Sequence, residues 1–206
     1  MIPTAGAIGV TIANNAPGKP ITMGGTDATI TIPSMMVDQA TGASLMGSTK
    51  PVTARMQRLA STDLDGTIDE GVIAHEFFHY VSNRLVGNGS GLITNQAGGM
   101  GEGWSDFSTL LMQVRANDTL VAGNADWSGA YPVGTYVSND FYFGIRRAPY
   151  STDFAKNPLT FKHIQNGEAL PTTAPLAFGQ DGASNAEVHN TGEIWCNILW
   201  EAYAGF

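Results

Sequence analysis

The run His75-Glu76-Phe77-Phe78-His79 carries the residue types of a metal-dependent hydrolase. Two histidines at i and i+4 lie on one face of a helix, one turn apart, so both imidazoles can reach a single ion. Glu76, beside the first histidine, can point at the remaining coordination site and take a proton from metal-bound water. The run therefore predicts zinc ligands at His75 and His79 and a general base at Glu76.

A match to such a short motif can also arise by chance on a surface helix. The neighbouring residues argue against that interpretation, because the stretches at 71–74 and 77–81 surround the histidines with mostly apolar side chains, including Phe77, Phe78 and Tyr80. We therefore expect this helix to be largely buried. Buried imidazoles beside a buried carboxylate need partners, and zinc is a suitable one.

A pair of acids, Glu102 and Asp106, follows at the same i and i+4 spacing. Apolar residues recur around them at helical spacing, at Trp104, Phe107, Leu110, Leu111 and Val114. A catalytic zinc with two histidines and one carboxylate keeps a fourth position open, and Glu102 would be that carboxylate. Asp106 would accept the ring N–H of one ligating histidine. Both acids could instead be ordinary helix N-terminal residues, which the helix dipole favours.

Four glycines lie around the start of this second helix, at Gly98, Gly99, Gly101 and Gly103. Glycine has no Cβ and permits close approach of the backbone to other groups. We therefore expect a glycine-rich loop that leads from the histidine helix to the acids and brings the backbone close to the site.

The sequence around these residues resembles the fungalysin family of secreted zinc metalloendopeptidases, which are relatives of thermolysin. The family pattern is HEYTH, SNRL and GGMGEGWSD, and this chain carries HEFFH, then SNRL at residues 82–85 and GGMGEGWSD at residues 98–106. The resemblance implies zinc ligands at His75, His79 and Glu102 and the general base at Glu76. The replacement of Tyr-Thr by Phe-Phe falls between these positions.

A later stretch, GIRRAPYSTD at residues 144–153, resembles the family's GIR…PYSTD element. By analogy with the thermolysin clan, Arg146 would hold a substrate carbonyl with the planar fork of donors that arginine offers. The alternative is that Arg146 is a buried structural ion-pair partner. Tyr150 could be core or loop packing, and the sequence assigns it no role.

Near the end of the chain, VHNTGEIW at residues 188–195 resembles the family's VHxxGEVW element and opens a predicted helix that continues to Ala202. The resemblance implies that His189 stabilises the oxyanion that forms as the peptide carbonyl becomes tetrahedral. Glu187, two residues earlier, could orient His189. The alternative is a structural histidine, which is also our prediction for His163.

The implied function is that of a zinc-dependent metalloendopeptidase, which hydrolyses internal peptide bonds of proteins by Glu-assisted attack of zinc-bound water. It needs one catalytic Zn²⁺ and takes protein or peptide substrates outside the cell. The alternative is a non-catalytic zinc-binding, interaction-type fragment of such a protease. Action on another amide or ester is disfavoured by the peptidase-like motifs. Cys196, the single cysteine, lies in the last apolar helix without a neighbouring base, which argues against a thiol nucleophile.

Composition excludes two classes of partner. The formal net charge is −8 over 206 residues, whereas binding of nucleic-acid phosphates needs a basic surface. No apolar run approaches the roughly 20 residues that span a bilayer. Residues 1–4 contain no basic n-region, so they do not form a signal peptide, and secretion is implied by the family alone.

The first 50 residues differ from the rest in composition. We predict strands at 8–12, 28–33 and 35–37, a turn at 14–18 and a short helix at 38–45. The stretch resembles the tail of a protease-associated (PA) domain. The predicted organisation is a partial PA-like β segment at 1–50 and an incomplete zinc metallopeptidase catalytic region at 51–206, linked through residues 51–66.

The predicted fold class is α+β, with a mainly helical, thermolysin-like zincin region after the small β-rich segment. Family catalytic domains carry a longer β-rich lobe before the histidine helix, so the resemblance implies a fragment. Acids at Asp63 and Asp65 could bind calcium but match no complete calcium loop, and we expect a solvated turn there.

Overall fold

The computed structural model describes residues 6–15, 20, 29–56, 64–178 and 181–206. Contacts divide the chain into two compact units, Met1–Thr62 and Asp63–Phe206. The boundary falls within the predicted link at residues 51–66. The assignment of a PA-like segment and a catalytic region to the two parts stays a prediction.

The described residues of the first unit form a two-stranded parallel sheet and one helix. Strand β1 spans Val10–Ala13 and strand β2 spans Ser34–Val37, and Val10 pairs with Ser34. Helix α1 spans Gln39–Met46 and begins after Asp38, whose carboxylate accepts the N–H of Thr41 at 2.8 Å. The predicted strand at 35–37 and the predicted short helix are confirmed.

Two other strand predictions in this unit need correction. The strand predicted at 8–12 is present but begins later, at Val10. The strand predicted at 28–33 is wrong where the structure describes it, since residues 29–33 form no strand. Pro33 has no N–H to give to a ladder, and β2 begins only after it. Most of the turn predicted at 14–18 lies outside the described residues.

The second unit is mainly helical. Helix α2 spans Glu70–Leu85, α3 spans Asn95–Gln113, the short α4 spans Thr135–Ser138 and α5 spans Val188–Ala204. Short 3₁₀ turns and isolated β-bridges connect them. The helices predicted around the histidines, the acids and His189 are confirmed, and the fold class is α+β.

The buried carboxylate of Asp69 sets the start of α2. Its Oδ1 accepts the N–H of Gly71 at 2.9 Å, which caps the helix. Its Oδ2 accepts the N–H groups of Tyr136 and Val137, both at 3.0 Å. One side chain therefore fixes the first turn of α2 to the first turn of α4.

Helix α2 buries only one narrow face, so the prediction of a largely buried helix is wrong. Phe77 is 57% exposed and Tyr80 is 59% exposed, whereas Gly71, His75 and Ser82 are buried. Helix α2 packs against α3, and this packing leaves both aromatic side chains exposed. The buried face is the one that carries the first histidine.

The glycine-rich run belongs to α3 itself, so the predicted loop is wrong. A Cβ on Gly103 would lie 2.6 Å from the carbonyl oxygen of Gly192 in α5, and a Cβ on Gly192 would lie 2.5 Å from the Cβ of Glu102. Real Cβ atoms do not approach other atoms so closely. The glycines therefore allow α3 and α5 to cross almost backbone to backbone, which brings Glu102 against α5.

The core lies beneath this crossing. Its main cluster of buried apolar residues comprises Leu110, Tyr131, Val133, Tyr150, Cys196 and Trp200. The members come from α3, α5 and the connecting stretch between them. The connecting stretch is therefore packed against the two helices although it contains little regular structure.

The glycine crossing gives a matched pair of variants. Gly103→Ala should lower the free energy of unfolding by about 1–3 kcal/mol, since the methyl group collides with backbone and overpacking has that order of effect. Gly98→Ala should leave stability unchanged or raise it by up to about 1 kcal/mol, because its Cβ would meet only Val188 Cγ1 at 3.4 Å. Urea unfolding followed by circular dichroism measures both. Equal stability of the two variants would contradict the close crossing.

Candidate metal centre

His75 and His79 on α2 and Glu102 on α3 converge. Their ligand atoms all lie within 4.8 Å of one another. Nε2 of His75 is 3.1 Å from Glu102 Oε2, and Nε2 of His79 is 3.4 Å from Glu102 Oε1. Neighbouring ligand atoms of a tetrahedral zinc ion with bonds of 2.0–2.2 Å stand roughly 3.4 Å apart. The three groups therefore fit a zinc ion in donor type, and each histidine lies near this spacing from one oxygen of Glu102.

Asp106 lies behind the first histidine. Its side chain is 1% exposed, and its Oδ1 is 2.6 Å from Nδ1 of His75. The predicted role of Asp106 behind a ligating histidine stays a prediction, and this contact is the one that such a role needs. With Nδ1 engaged by Asp106, His75 presents Nε2 to Glu102, and Nε2 is the nitrogen that would be left for a metal ion.

Two further donors reach the carboxylate of Asp106. Arg146 donates from Nε to Oδ2 at 2.7 Å and from Nη2 to Oδ1 at 3.0 Å. The hydroxyl of Tyr150 also donates to Oδ2. Arg146 is 5% exposed, so it has the contacts of the buried ion-pair partner that the sequence left open. Its substrate-binding role stays a prediction.

The contact of Tyr150 was missed by reasoning from sequence. A buried tyrosine almost always finds a partner for its hydroxyl. Its place four residues after Arg146 is a signal that could have suggested a shared acceptor, but the acceptor could not be named without the fold.

The charged groups of this cluster strongly shift one another's pKa values. Burial raises the pKa of Asp106. The charge of Arg146 and the hydrogen bond with His75 lower it by more, so the net pKa is well below its usual range. Burial lowers the pKa of His75, but hydrogen bonds to Asp106 and Glu102 raise it to a net value of about 9. Burial raises the pKa of Glu102, whereas its hydrogen bonds with His75 and His79 lower it more, so that the net pKa is far below the usual one. Without metal, His75 is therefore protonated on both ring nitrogens at neutral pH and donates Nδ1–H to Asp106 and Nε2–H to Glu102.

His189 lies in the first turn of α5, at the helix crossing. Its Nε2 is 3.4 Å from Glu102 Oε2. Its Nδ1 is 2.9 Å from Glu187 Oε1 and 3.4 Å from Asp181 Oδ1. The other oxygen of Glu187 accepts the backbone N–H of His189 at 2.8 Å and thereby caps α5. The contact suggested for Glu187 is therefore present, and one carboxylate holds both the backbone and the ring of His189.

Glu76 follows His75 on α2, and its side chain is exposed. Successive helix residues differ in direction by about 100°, so Glu76 projects from a different side of α2 than His75 does. The rings of His79 and His189 are partly accessible, at 24% and 36% exposure. The candidate site is thus closed on the side of Asp106, whereas the rings of His79 and His189 reach solvent.

Comparison with known protein families shows the family to which the chain belongs. The family model described as fungalysin metallopeptidase (M36) matches residues 27–206. The chain belongs to the fungalysin metallopeptidase family. The resemblance inferred from the motifs is therefore confirmed, and the matched region contains all seven predicted site residues.

Fungal proteins are among the relatives of this fungalysin-family chain. It is 34% identical over 140 residues to "Extracellular metalloproteinase mep" of Aspergillus niger, an alignment that covers 66% of this chain and 18% of the relative. It is 37% identical over 140 residues to "Extracellular metalloproteinase MEP" of Pyricularia oryzae, with the same two coverages. It is 35% identical over 145 residues to "Probable extracellular metalloproteinase 2" of Arthroderma benhamiae, covering 69% of this chain and 19% of the relative. The chain spans less than a fifth of the length of these curated relatives.

A second buried ion pair lies next to the candidate site, on the side of α5. Arg147 donates from Nε to Glu193 Oε2 at 2.7 Å and from its backbone N–H to Glu193 Oε1 at 2.6 Å. Its Nη2 also donates to the carbonyl of Asn190 at 2.8 Å. This pair, which the sequence did not suggest, fastens the stretch of Arg146 and Tyr150 to α5.

The remaining candidates lie outside the converging groups. His163 is buried and its Nδ1 accepts the N–H of Thr160 at 2.8 Å, as a structural histidine would. Burial raises the pKa of the Cys196 thiol well above its usual range. Asp65 accepts the N–H of Thr67 at 2.9 Å in a 3₁₀ turn, whereas Asp63 lies outside the described residues. Among the helices that the structure describes, none is long and apolar enough to cross a membrane.

The proton on His75 predicts how metal binding depends on pH. Zinc must displace this proton, and because the pKa is raised to about 9, the apparent affinity should rise with pH about tenfold per unit between pH 6.5 and 8. Calorimetric titration of metal-free protein in two buffers of different ionisation enthalpy should report about one proton released per zinc ion. Binding with no proton release across this range would show that His75 is already neutral.

Proposed function

We propose that this chain forms the zinc site of an extracellular metalloendopeptidase that hydrolyses internal peptide bonds of proteins. The observation that supports the proposal is the convergence of His75, His79 and Glu102, whose ligand atoms lie within 4.8 Å of one another. The relatives named as extracellular metalloproteinases support the activity and the location. The whole of such a protein is longer than this chain, so activity, substrate and secretion are proposals.

A zinc ion held by these three ligands would supply Lewis acidity to water and to the scissile carbonyl. Glu76, which is exposed and follows His75 on α2, would take a proton from the attacking water and deliver it to the leaving amine. His189 would donate a hydrogen bond from Nε2 to the oxyanion. Because Nδ1 faces Glu187, donation from Nε2 requires both ring nitrogens to carry protons. The reaction transfers the acyl group to water with no covalent enzyme intermediate.

The buried residues would set the geometry of the ligands. Asp106 would hold the ring of His75 through Nδ1 and keep Nε2 directed at the ion. Arg146 would hold a substrate carbonyl with a donor that Asp106 does not take, and the buried ion pair is the alternative role for this side chain. Its Nε and Nη2 both donate to Asp106, which supports the alternative.

The finer fold assignment also belongs to this proposal. We propose that the helical unit corresponds to the metal-binding part of a thermolysin-like zincin. We propose further that residues 1–50 are a PA-like segment that contacts substrates or partners. The parallel strands and α1 of the first unit are compatible with a small β-rich element.

Glu76→Gln tests the proposed base. Hydrolysis of labelled casein should fall by about 10²–10⁴-fold, while zinc affinity stays within about twofold because residue 76 is not a proposed ligand. Glu70→Gln is the matched control, since Glu70 is an exposed acid on the same helix, away from the ligands, and it should retain full activity. A zinc chelator should abolish hydrolysis by both wild type and control.

Two outcomes would overturn this assignment. Hydrolysis by Glu76→Gln at the wild-type rate would remove Glu76 from the mechanism. Tight zinc binding by the wild type without any hydrolysis would favour the non-catalytic, interaction-type function instead.

His189→Ala tests the proposed oxyanion donor. It should lower kcat by about 10²–10³-fold with little change in KM, because the hydrogen bond strengthens as charge develops on the carbonyl oxygen. Steady-state kinetics on a fluorogenic peptide separate the two constants. A rise in KM with unchanged kcat would assign His189 to substrate binding instead.

A further inference from the structure

The carboxylate of Asp106 is fully surrounded by donors. Its Oδ1 lies 2.6 Å from His75 Nδ1 and 3.0 Å from Arg146 Nη2. Its Oδ2 lies 2.7 Å from Arg146 Nε and also accepts the hydroxyl of Tyr150. Oδ2, the oxygen that does not contact His75, is therefore held in part by Tyr150. The proposed mechanism gives Tyr150 no role.

The position of Tyr150 is set by its surroundings on every side. Its backbone N–H and carbonyl pair with those of Tyr131, both at 3.0 Å. Its side chain is 1% exposed and packs in the main core cluster with Leu110 and Trp200. A tyrosine has two side-chain torsions, and here neither is free to change. The hydroxyl is therefore a fixed point supplied by the core.

We propose that Tyr150 is a positioning residue for the metal ligand His75 and acts through Asp106. Its hydroxyl holds Oδ2 and so fixes the rotation of the carboxylate about its Cβ–Cγ bond. Oδ1 then stays in line with Nδ1 of His75, and the ring keeps Nε2 directed at Glu102. This inference rests on the proposed function, because it assumes that His75 binds the zinc ion.

Tyr150 adds to the hold that Arg146 has on this carboxylate. The torsion about the Cβ–Cγ bond of an aspartate is broad, and Arg146 contacts both oxygens from its own side. Tyr150 supplies a second, independent donor to Oδ2 from a ring that is packed in the core. Burial and the charge of Asp106 also raise the pKa of Tyr150 well above its usual range, so the phenol keeps its proton. A protonated phenol that donates to an ionised carboxylate makes a strong, charge-assisted hydrogen bond.

The test compares Tyr150→Phe with Tyr131→Phe. Both tyrosines belong to the same core cluster, but the hydroxyl of Tyr131 contacts Asn124 and Asp118 and not Asp106. Zinc affinity is measured by competition with a chromophoric chelator, and thermal unfolding of the metal-free proteins reports stability. Tyr150→Phe should weaken zinc binding about tenfold, at the lower end of the effect of losing a group behind a metal ligand. Tyr131→Phe should change zinc affinity by less than about twofold, whatever its effect on stability.

A double-mutant cycle shows whether Tyr150 acts through Asp106. In an Asp106→Asn background, Tyr150→Phe should have no further effect on zinc affinity, because the group that transmits the constraint is already altered. Additive effects of the two substitutions would overturn the proposal. So would equal zinc affinities of Tyr150→Phe and the wild type.

Two analogues of equal size cover the case in which Tyr150→Phe does not fold. Replacement of Tyr150 by 4-aminophenylalanine keeps a donor at the same place and should retain zinc affinity near that of the wild type. Replacement by 4-fluorophenylalanine removes the donor and should give the tenfold loss. Equal affinities of the two analogues would overturn the proposal. A wild type that binds no zinc would instead contradict the proposed function, so the two failures are distinguishable.

Discussion

The structure of the site depends on one buried carboxylate, that of Asp106. A charge without partners in a dry interior is too unfavourable to persist, so Asp106 requires the donors that surround it. Those donors come from α2 through His75 and from the connecting stretch through Arg146 and Tyr150. Asp106 itself belongs to α3. Hydrogen bonds to the ionised carboxylate of Asp106 therefore hold α2, α3 and the connecting stretch together.

The approach of α3 to α5 is the second constraint, and it is steric rather than electrostatic. Gly103 and Gly192 leave no room for a Cβ where the helices cross. This closeness brings Glu102 within 3.4 Å of His189 Nε2, although the two residues are far apart in sequence. The ion pair of Arg147 with Glu193 then fastens the connecting stretch to α5. Hydrogen bonds to the charge of Asp106 thus hold the closed side of the site together. Glycines without side chains instead allow the close crossing of α3 and α5, and this crossing positions His189.

Reasoning from sequence predicted the local parts of this arrangement better than the long-range ones. The i and i+4 spacing of His75 and His79 determines their common face, so the helix and the convergence of its histidines could be anticipated. The contact of Asp106 with a histidine followed from the general need of a ligating imidazole for a second partner. The helical state of the glycine run could not be anticipated, because glycine disfavours helix and only the packing of α5 explains it. The exposure of Phe77 and Tyr80 could not be predicted from the sequence either. Apolar side chains show that a helix face can be buried, but not that another part of the chain covers it.

X-ray absorption spectroscopy of the zinc-loaded chain tests the central claim most directly, because it reports the atoms bound to the metal without any assumption about activity. The account predicts one zinc ion per chain, with two imidazole nitrogens and a carboxylate oxygen at about 2.0–2.2 Å and no sulfur ligand. Replacement of Glu102 by alanine should remove the carboxylate scattering and leave both imidazoles in place. A spectrum of the wild type with fewer than two imidazoles, or with only loosely held water, would contradict the account.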